Sequence, residues 1–286
     1  MTFGIVIPTY KREKLITRAI NSVLEQTYQN FIICVVNDCS PDNTQEVLKT
    51  YSDNDKVHTI LLEKNSGVNT ARNSALNYLI EKVDYIVFLD DDDYFINDTL
   101  KTALQIISKE HSKWLLFNRI TPEGKKITHV EKYGYNDYFY DYLTSFSITG
   151  DAVMFIDTCL LKGIRFEESI NAREYLFFLQ IWATKQAPMY VYNFNATICE
   201  YLDEGLSNSS KKETKEEKKY IRNIERSILQ KANVSLYELN ILTYQMQLIK
   251  FFKNNNLKKV IRYTRKIFSL NSKQIIQQFF FKTIKN

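Results

Sequence analysis

Across its first ninety residues the chain alternates short β-branched runs with helix-patterned stretches, an order that leaves few folds open. Residues 4–8, 31–36, 57–62 and 85–89 read as strands, and residues 14–26, 43–51 and 67–80 as the helices between them. Leu15, Ala19, Ile20, Val23 and Leu24 share one face of the first helix. The strands are apolar on both faces, so helices must cover each side of a doubly wound, mostly parallel α/β sheet. Ligands of such sheets bind beyond the carboxyl ends of the strands. Those ends are Pro8-Thr9-Tyr10, Asn37-Asp38-Cys39-Ser40 and the run Asp90, Asp91, Asp92, Asp93.

What fills those ends is narrowed by what the chain lacks. Seven glycines are present, and no two lie within three residues of each other, so neither a GxGxxG dinucleotide turn nor a GxxxxGK[ST] phosphate loop can be drawn. His58, His111 and His129 are scattered, which excludes an HExxH zinc site. The chemistry therefore rests on carboxylates. Four consecutive aspartates repel one another, and a divalent cation relieves that repulsion. Oxygen donors without nearby His or Cys point to Mg²⁺ or Mn²⁺. A solvated acidic loop, or a cap for a helix starting near Thr99, is the competing reading. Asp38 has two readings as well: an acceptor for a base N–H or a ribose hydroxyl, or an Asx turn with Ser40 and Asp42. Arg72 falls in the first turns of a helix, where a guanidinium suits a phosphate; an ordinary surface arginine is the alternative.

Together these stretches resemble the nucleotide-sugar glycosyltransferases of family 2, which have the GT-A fold. Ile5-Val6-Ile7-Pro8-Thr9-Tyr10 is similar to that family's opening strand and Pro-x-Tyr turn. Val36-Asn37-Asp38-Cys39-Ser40-Pro41-Asp42-Asn43-Thr44 resembles V-D-D-G-S-x-D-x-T, with Asn37 for the first Asp and Cys39 for Gly. Asn65-x-Gly67 with Ala71-Arg72-Asn73 resembles N-x-G-x-x-x-A-R-N, and Phe88-Leu89 with the aspartate run resembles F-L-D-x-D-D. The resemblance is strong over about residues 3–100 and softer to about residue 205. It implies a donor site built from Pro8, Thr9, Tyr10, Arg12, Asp38, Asn65, Gly67, Arg72, Asp90 and Asp91, with Asp38 at the base and Arg72 at the base or diphosphate. Asp92 and Asp90 would take the metal, Mn²⁺ or Mg²⁺. Further on, Phe166-Glu167 and Ala172-Arg173-Glu174-Tyr175 resemble F-x-E and G-E-D-Y, which makes Glu174 the expected catalytic base with Asp151 in reserve. Here Arg173 replaces the family's Glu and Glu174 its Asp. No histidine stands near residues 201–207, where many relatives carry one, and the Q-x-x-R-W of processive synthases is absent, so one sugar per binding event is expected.

At 286 residues the length fits one large domain with an appendage as well as two equal domains. The catalytic domain is expected over residues 1–210, with a donor half to about 110 and an acceptor half over about 111–210. From Trp114 the runs shorten and aromatics crowd residues 132–142; residues 148–156 read as a strand and 174–183 as a helix. Residues 211–286 form a basic, helical C-terminal region, with eighteen Lys/Arg against five Asp/Glu; the preceding 210 residues carry twenty against twenty-eight. In it, Leu257, Val260, Ile261, Thr264, Ile267 and Phe268 fall on one helical face, opposite Lys258, Lys259, Arg262, Arg265 and Lys266. This pattern fits an anionic membrane surface or an ordinary solvated face packed on the preceding helix; no nucleic-acid motif accompanies it. No run approaches the ~18 apolar residues of a membrane span, the opening is not a secretory signal, and the four cysteines form no CxxC pair. A cytoplasmic protein, peripheral on the inner face of the cell membrane if the tail binds lipid, is expected. The expected function is inverting, metal-dependent transfer of one sugar from a UDP-sugar to a glycan or lipid-linked acceptor in bacterial surface polysaccharide synthesis. The other reading is a catalytically silent nucleotide-sugar binding or scaffold protein.

Overall fold

In the computed structural model, which describes residues 1–144, 147–200 and 214–232, the strand Phe3–Thr9 (β1) is buried at every residue. It pairs in parallel with Phe31–Asn37 (β2) on one side and with Tyr85–Phe88 (β4) on the other, while Val57–Leu61 (β3) closes the edge beyond β2. Helices Ile16–Leu24 (α1), Thr44–Lys49 (α2) and Val68–Leu79 (α3) connect them. Alternation along β1 sends Phe3, Ile5 and Ile7 to one face, where they meet Ile16 and Ile20 of α1 and Leu100 and Ile107 of the later helix Thr99–Glu110 (α4). Gly4 faces the other way, under Leu79 of α3 and Val83. Both faces are thus covered by helices, as the two-sided apolar strands require.

The second half of the sheet is mixed. After β4 the chain crosses to the short strand Tyr94–Phe95 (β5), then returns through α4 to Trp114–Ile120 (β6). His129–Val130 (β7), Gly134–Asn136 (β8), a π-helical turn over Tyr138–Thr144 and Ile148–Thr149 (β9) lead into Ala152–Asp157 (β10). Thr158–Leu161 (α5), Glu174–Lys185 (α6) and Met189–Ile198 (β11) follow. The order across the sheet is β3-β2-β1-β4-β10-β6-β11-β5, with β8 also pairing β11. Because β10 runs antiparallel between β4 and β6, its start lies at the same edge as their carboxyl ends, and Asp151 arrives there. Strand order reverses between β1 and β4, and this is the edge where open α/β sheets bind ligands.

One expected element is broken. Residues 148–156 do not form a single strand: β9 pairs with β7 in a separate two-stranded sheet, and β10 begins only at Ala152. Gly150 makes the break, with φ +81° and the place of a Cβ only 2.0 Å from the Ile127 carbonyl oxygen. Gly150→Ala is therefore expected to destabilise the protein by about 2 kcal/mol or more, lowering Tm by on the order of 5 °C in a calorimetric melt. An unchanged Tm would show that the break does not depend on glycine.

The chain divides into two compact units, Met1–Lys215 and Glu216–Asn286. The second is described only through the helix Lys215–Lys231 (α7), whose Ile221, Ile228 and Leu229 are buried. The boundary expected at residue 210 and the basic face from Leu257 to Phe268 lie outside the described residues. Among the described residues, no helix is long and apolar enough to cross a membrane.

Candidate active site

The parallel register of β1 and β2 sets Thr9 beside Asn37, and the next residues form two facing turns. The Thr9 carbonyl accepts from the Asp38 N–H at 2.9 Å. Pro8 and Thr9 are buried, whereas the Tyr10 ring is 37% exposed. Cys39 adopts φ +54°, the left-handed conformation that favours the glycine for which it stands. The local Asx-type bond belongs to Asn37, whose Oδ1 accepts from Ser40 N–H at 3.0 Å. Asp38 reaches further: Oδ1 accepts from the Ser66 N–H (2.6 Å) and Oδ2 from the Gly67 N–H (2.8 Å). It thereby ties the start of α3 to the end of β2. Gly67 makes this turn at φ +90°. Asn65 is exposed just before it and is not drawn into the network.

The four aspartates separate into different environments. Asp91 turns toward the first strand, accepting from Tyr10 N–H at 3.3 Å and lying 3.4 Å from Arg12 Nε. Burial pushes its carboxyl up to about 7, with Asp92 adding repulsion that Arg12 offsets in part. Asp90 bonds Arg72 at 3.1 Å and Arg119 at 3.5 Å. Burial opposes its charge, but Arg119 and Arg72 outweigh it and hold the carboxyl below the usual range. Asp93 is 1% exposed and lies 3.1 Å from Arg119, and burial pushes it up to about 7. The Asp92 carboxylate forms no ion pair among the described residues and bonds its own backbone; burial and then Asp90 raise it, against that bond and the more distant Arg12 and Arg119. Its main-chain carbonyl is held instead, by Arg18 at 2.7 Å, and Arg18 also pairs with Glu200 at 2.7 Å beyond β11.

Arg72 joins the two halves of the chain. Its side chain is 6% exposed; one terminal nitrogen bonds Asp90, and the other bonds Glu174 Oε1 at 2.6 Å. Burial disfavours the cation, but Glu174 and Asp90 more than compensate, so its pKa is raised. Neighbouring residues of α3 hold the loop before Glu174. Asn69 Nδ2 donates to the carbonyls of Glu167, Ile170 and Ala172 at 2.9, 2.8 and 2.8 Å. Asn73 exchanges hydrogen bonds with the Phe166 backbone at 3.0 and 2.9 Å. Ala172 and Arg173 both take left-handed φ, 57° and 67°, as the chain turns into α6. Glu174 keeps 43% of its side chain exposed while Oε1 is held by Arg72. Asp151 is exposed, and its backbone carbonyl accepts from Thr128 Oγ1.

Sequence reasoning missed Arg119, the buried cation that answers Asp90 and Asp93; its one signal was a charge at the end of the apolar strand β6. It also missed Arg18 and Asn69, and gave no role to Asn73 of the Ala71-Arg72-Asn73 stretch; the partners of all three come from distant segments.

The model of the family described as "Glycosyl transferase family 2" matches residues 4–165. The chain is 35% identical over 130 residues to poly(ribitol-phosphate) β-N-acetylglucosaminyltransferase TarS of Staphylococcus aureus, covering 44% of this chain and 22% of TarS. It is 34% identical over 115 residues to the UDP-Glc:α-D-GlcNAc-diphosphoundecaprenol β-1,3-glucosyltransferase WfgD of Escherichia coli, covering 40% and 44% of the two chains. The chain thus spans less than half the length of either curated relative. Its fold is similar to the crystal structure of TarS residues 1–349 in complex with UDP-GlcNAc, with TM-score 0.72 and 24% identity over 88% of this chain and 73% of that one. The mannosyltransferase PcManGT of Pyrobaculum calidifontis, in complex with GDP-Man and Mn²⁺, gives TM-score 0.54 and 14% identity over 93% and 86%.

Proposed function

The chain belongs to glycosyl transferase family 2, and from that premise we propose that it moves one sugar from a UDP-sugar to a hydroxyl of a glycan or lipid-linked acceptor in surface polysaccharide synthesis. The observation that carries this reading is the Asp90–Arg72–Glu174 chain of ion pairs, which sets a half-exposed carboxylate beside the aspartate run at the switch point of the sheet. In this reading Asp38 and the Ser66–Gly67 turn receive the base, and Arg12 and Arg72 line the diphosphate. Glu174, oriented by Arg72 through Oε1, takes the proton of the incoming hydroxyl on its other oxygen. Attack from the side opposite the leaving group inverts the anomeric centre.

The residues present fit a hard divalent cation. Asp92 offers a carboxylate in no ion pair among the described residues, whose charge is disfavoured by burial and by Asp90, the imbalance a cation corrects. Asp92 and Asp90 would hold Mg²⁺ or Mn²⁺. Among the described residues no three acidic, His or Cys side chains converge on one point, so substrate phosphates and water would complete the shell. When bound, the ion neutralises charge that grows on the departing diphosphate. The basic segment 211–286 extends the reading to a peripheral position on the anionic inner face of the cell membrane.

A thermal-shift panel of UDP- and GDP-sugars with Mn²⁺ tests the donor. A UDP-sugar at a hundred times its Kd is expected to stabilise the protein by about 2.7 kcal/mol, and excess EDTA to remove the shift. No shift with any UDP-sugar would sink the reading; a shift without donor hydrolysis or transfer would favour a silent binder.

A further inference from the structure

The aromatic residues between Lys132 and Tyr142 have no part in the donor chemistry, yet the fold carries them to the acceptor side of the site. Residues Tyr138–Thr144 form a π-helical turn, a rare geometry that recurs at functional sites. The turn lies along the stripe of α6 that begins with Glu174 and continues one and two turns later through Phe178 and Trp182. Tyr138 packs on Phe178 with ring centres 5.8 Å apart, and Phe139 stacks on Trp182 at 4.4 Å. The indole N–H of Trp182 donates to Asp137 Oδ2 at 2.9 Å and pins the start of the turn. Tyr142 then stacks on Tyr138 at 5.3 Å and donates its hydroxyl to the Gly150 carbonyl at 2.5 Å, next to Asp151. The same turn therefore touches the helix that presents Glu174 and the loop that presents Asp151. The ionisation of Tyr142 is raised by burial first, then by Asp151 and Glu174, with Arg119 opposing, which agrees with a phenol lying among these groups.

We infer that Tyr142 is the platform for the acceptor: a pyranose ring lays its C–H face on the Tyr142 ring, with its reacting hydroxyl toward Glu174. The inference rests on the transferase reading above. Aromatic rings offer rigid apolar area beside a polar handle, and pockets of this kind combine such surfaces with a few fixed polar groups. Fixing Tyr142 at both its ring and its hydroxyl prepares that surface before the acceptor arrives.

The test uses the full chain with Mn²⁺, the UDP-sugar that stabilises it most in the thermal-shift panel, and p-nitrophenyl β-glucoside, β-galactoside and N-acetyl-β-glucosaminide as acceptor probes. Tyr142→Ala and Tyr142→Leu, the latter keeping apolar volume in the fold, are expected to raise the acceptor KM about tenfold or more while leaving the Kd for that UDP-sugar unchanged. Tyr142→Phe keeps the ring and is expected to stay within about threefold of wild type. Tyr140→Ala removes a neighbouring ring that is 52% exposed and should leave the acceptor KM unchanged. An unchanged KM in Tyr142→Leu, an equal rise in Tyr140→Ala, or wild-type turnover of donor with no transfer to any pyranoside would overturn the inference alone. Absence of binding and turnover of every UDP-sugar in the thermal-shift panel would instead overturn the transferase reading, and this inference with it.

Discussion

Replacing Glu174 by Gln is expected to lower turnover by on the order of 10²–10⁴ while leaving UDP-sugar affinity within about twofold. The substitution keeps the size of the side chain and leaves an amide oxygen for Arg72, so the Arg72–Asp90 pair and the loop held by Asn69 and Asn73 stay in place. It removes the anionic carboxylate oxygen that can accept the proton of the incoming hydroxyl in the transition state. Steady-state rates with a saturating acceptor, read beside donor titrations, separate that loss from weakened binding. Should Glu174→Gln retain wild-type turnover while Asp151→Asn loses it, the base is Asp151, at the opening of β10. Wild-type rates in both would remove carboxylate base catalysis from the mechanism.

Asp92→Ala carries a second large expected effect: a loss of transfer of about 10³ or more, corresponding to several kcal/mol of lost charge stabilisation, together with loss of the Mn²⁺-dependent part of UDP binding. Among the four aspartates it is the cleanest to remove. Asp90→Ala would leave Arg72 and Arg119 with a partner missing, and Asp93→Ala would expose buried Arg119 to the same fault. The Asp92 carboxylate bonds only its own backbone, and burial and repulsion by Asp90 outweigh that bond, so the variant should melt at or above the wild-type temperature. Full transfer by Asp92→Ala, or by wild type in excess EDTA, would eliminate the metal from the reaction.

The first ninety residues were readable because their signals are local. Apolar runs of five to seven residues, each followed by polar residues, locate β1, β2 and β4 and the turns at their ends within a residue or two. Gly67 and the left-handed Cys39 explain two positions of the resemblance by backbone geometry alone. What the sequence hid is set by partners far along the chain. Asp38 is bound to N–H groups 28 and 29 residues away, and Arg72 to a carboxylate 102 residues away. Arg119, next to last in the apolar strand β6, gains its role only once β10 and the crossing to β5 are in place and bring Asp90 and Asp93 to it. The expected strand over residues 148–156 failed because its apolar pattern says nothing of the Ile127 carbonyl against which Gly150 lies.

The clasp between α3 and the loop before Glu174 bears on how such a chain can diverge. Asn69 grips Glu167, Ile170 and Ala172 through their carbonyl oxygens, and Asn73 grips Phe166 through its backbone. Carbonyls are present whatever side chain follows them, so within residues 167–172 the loop can change without loosening these bonds, except at Glu168, whose Oε1 also accepts from Asn73 at 2.7 Å. Drift is thus tolerated at most positions on one side of the contact and costly at both asparagines on the other. A lineage acquiring a new acceptor could rewrite most of this loop one residue at a time, with each intermediate still presenting its carboxylate to Arg72.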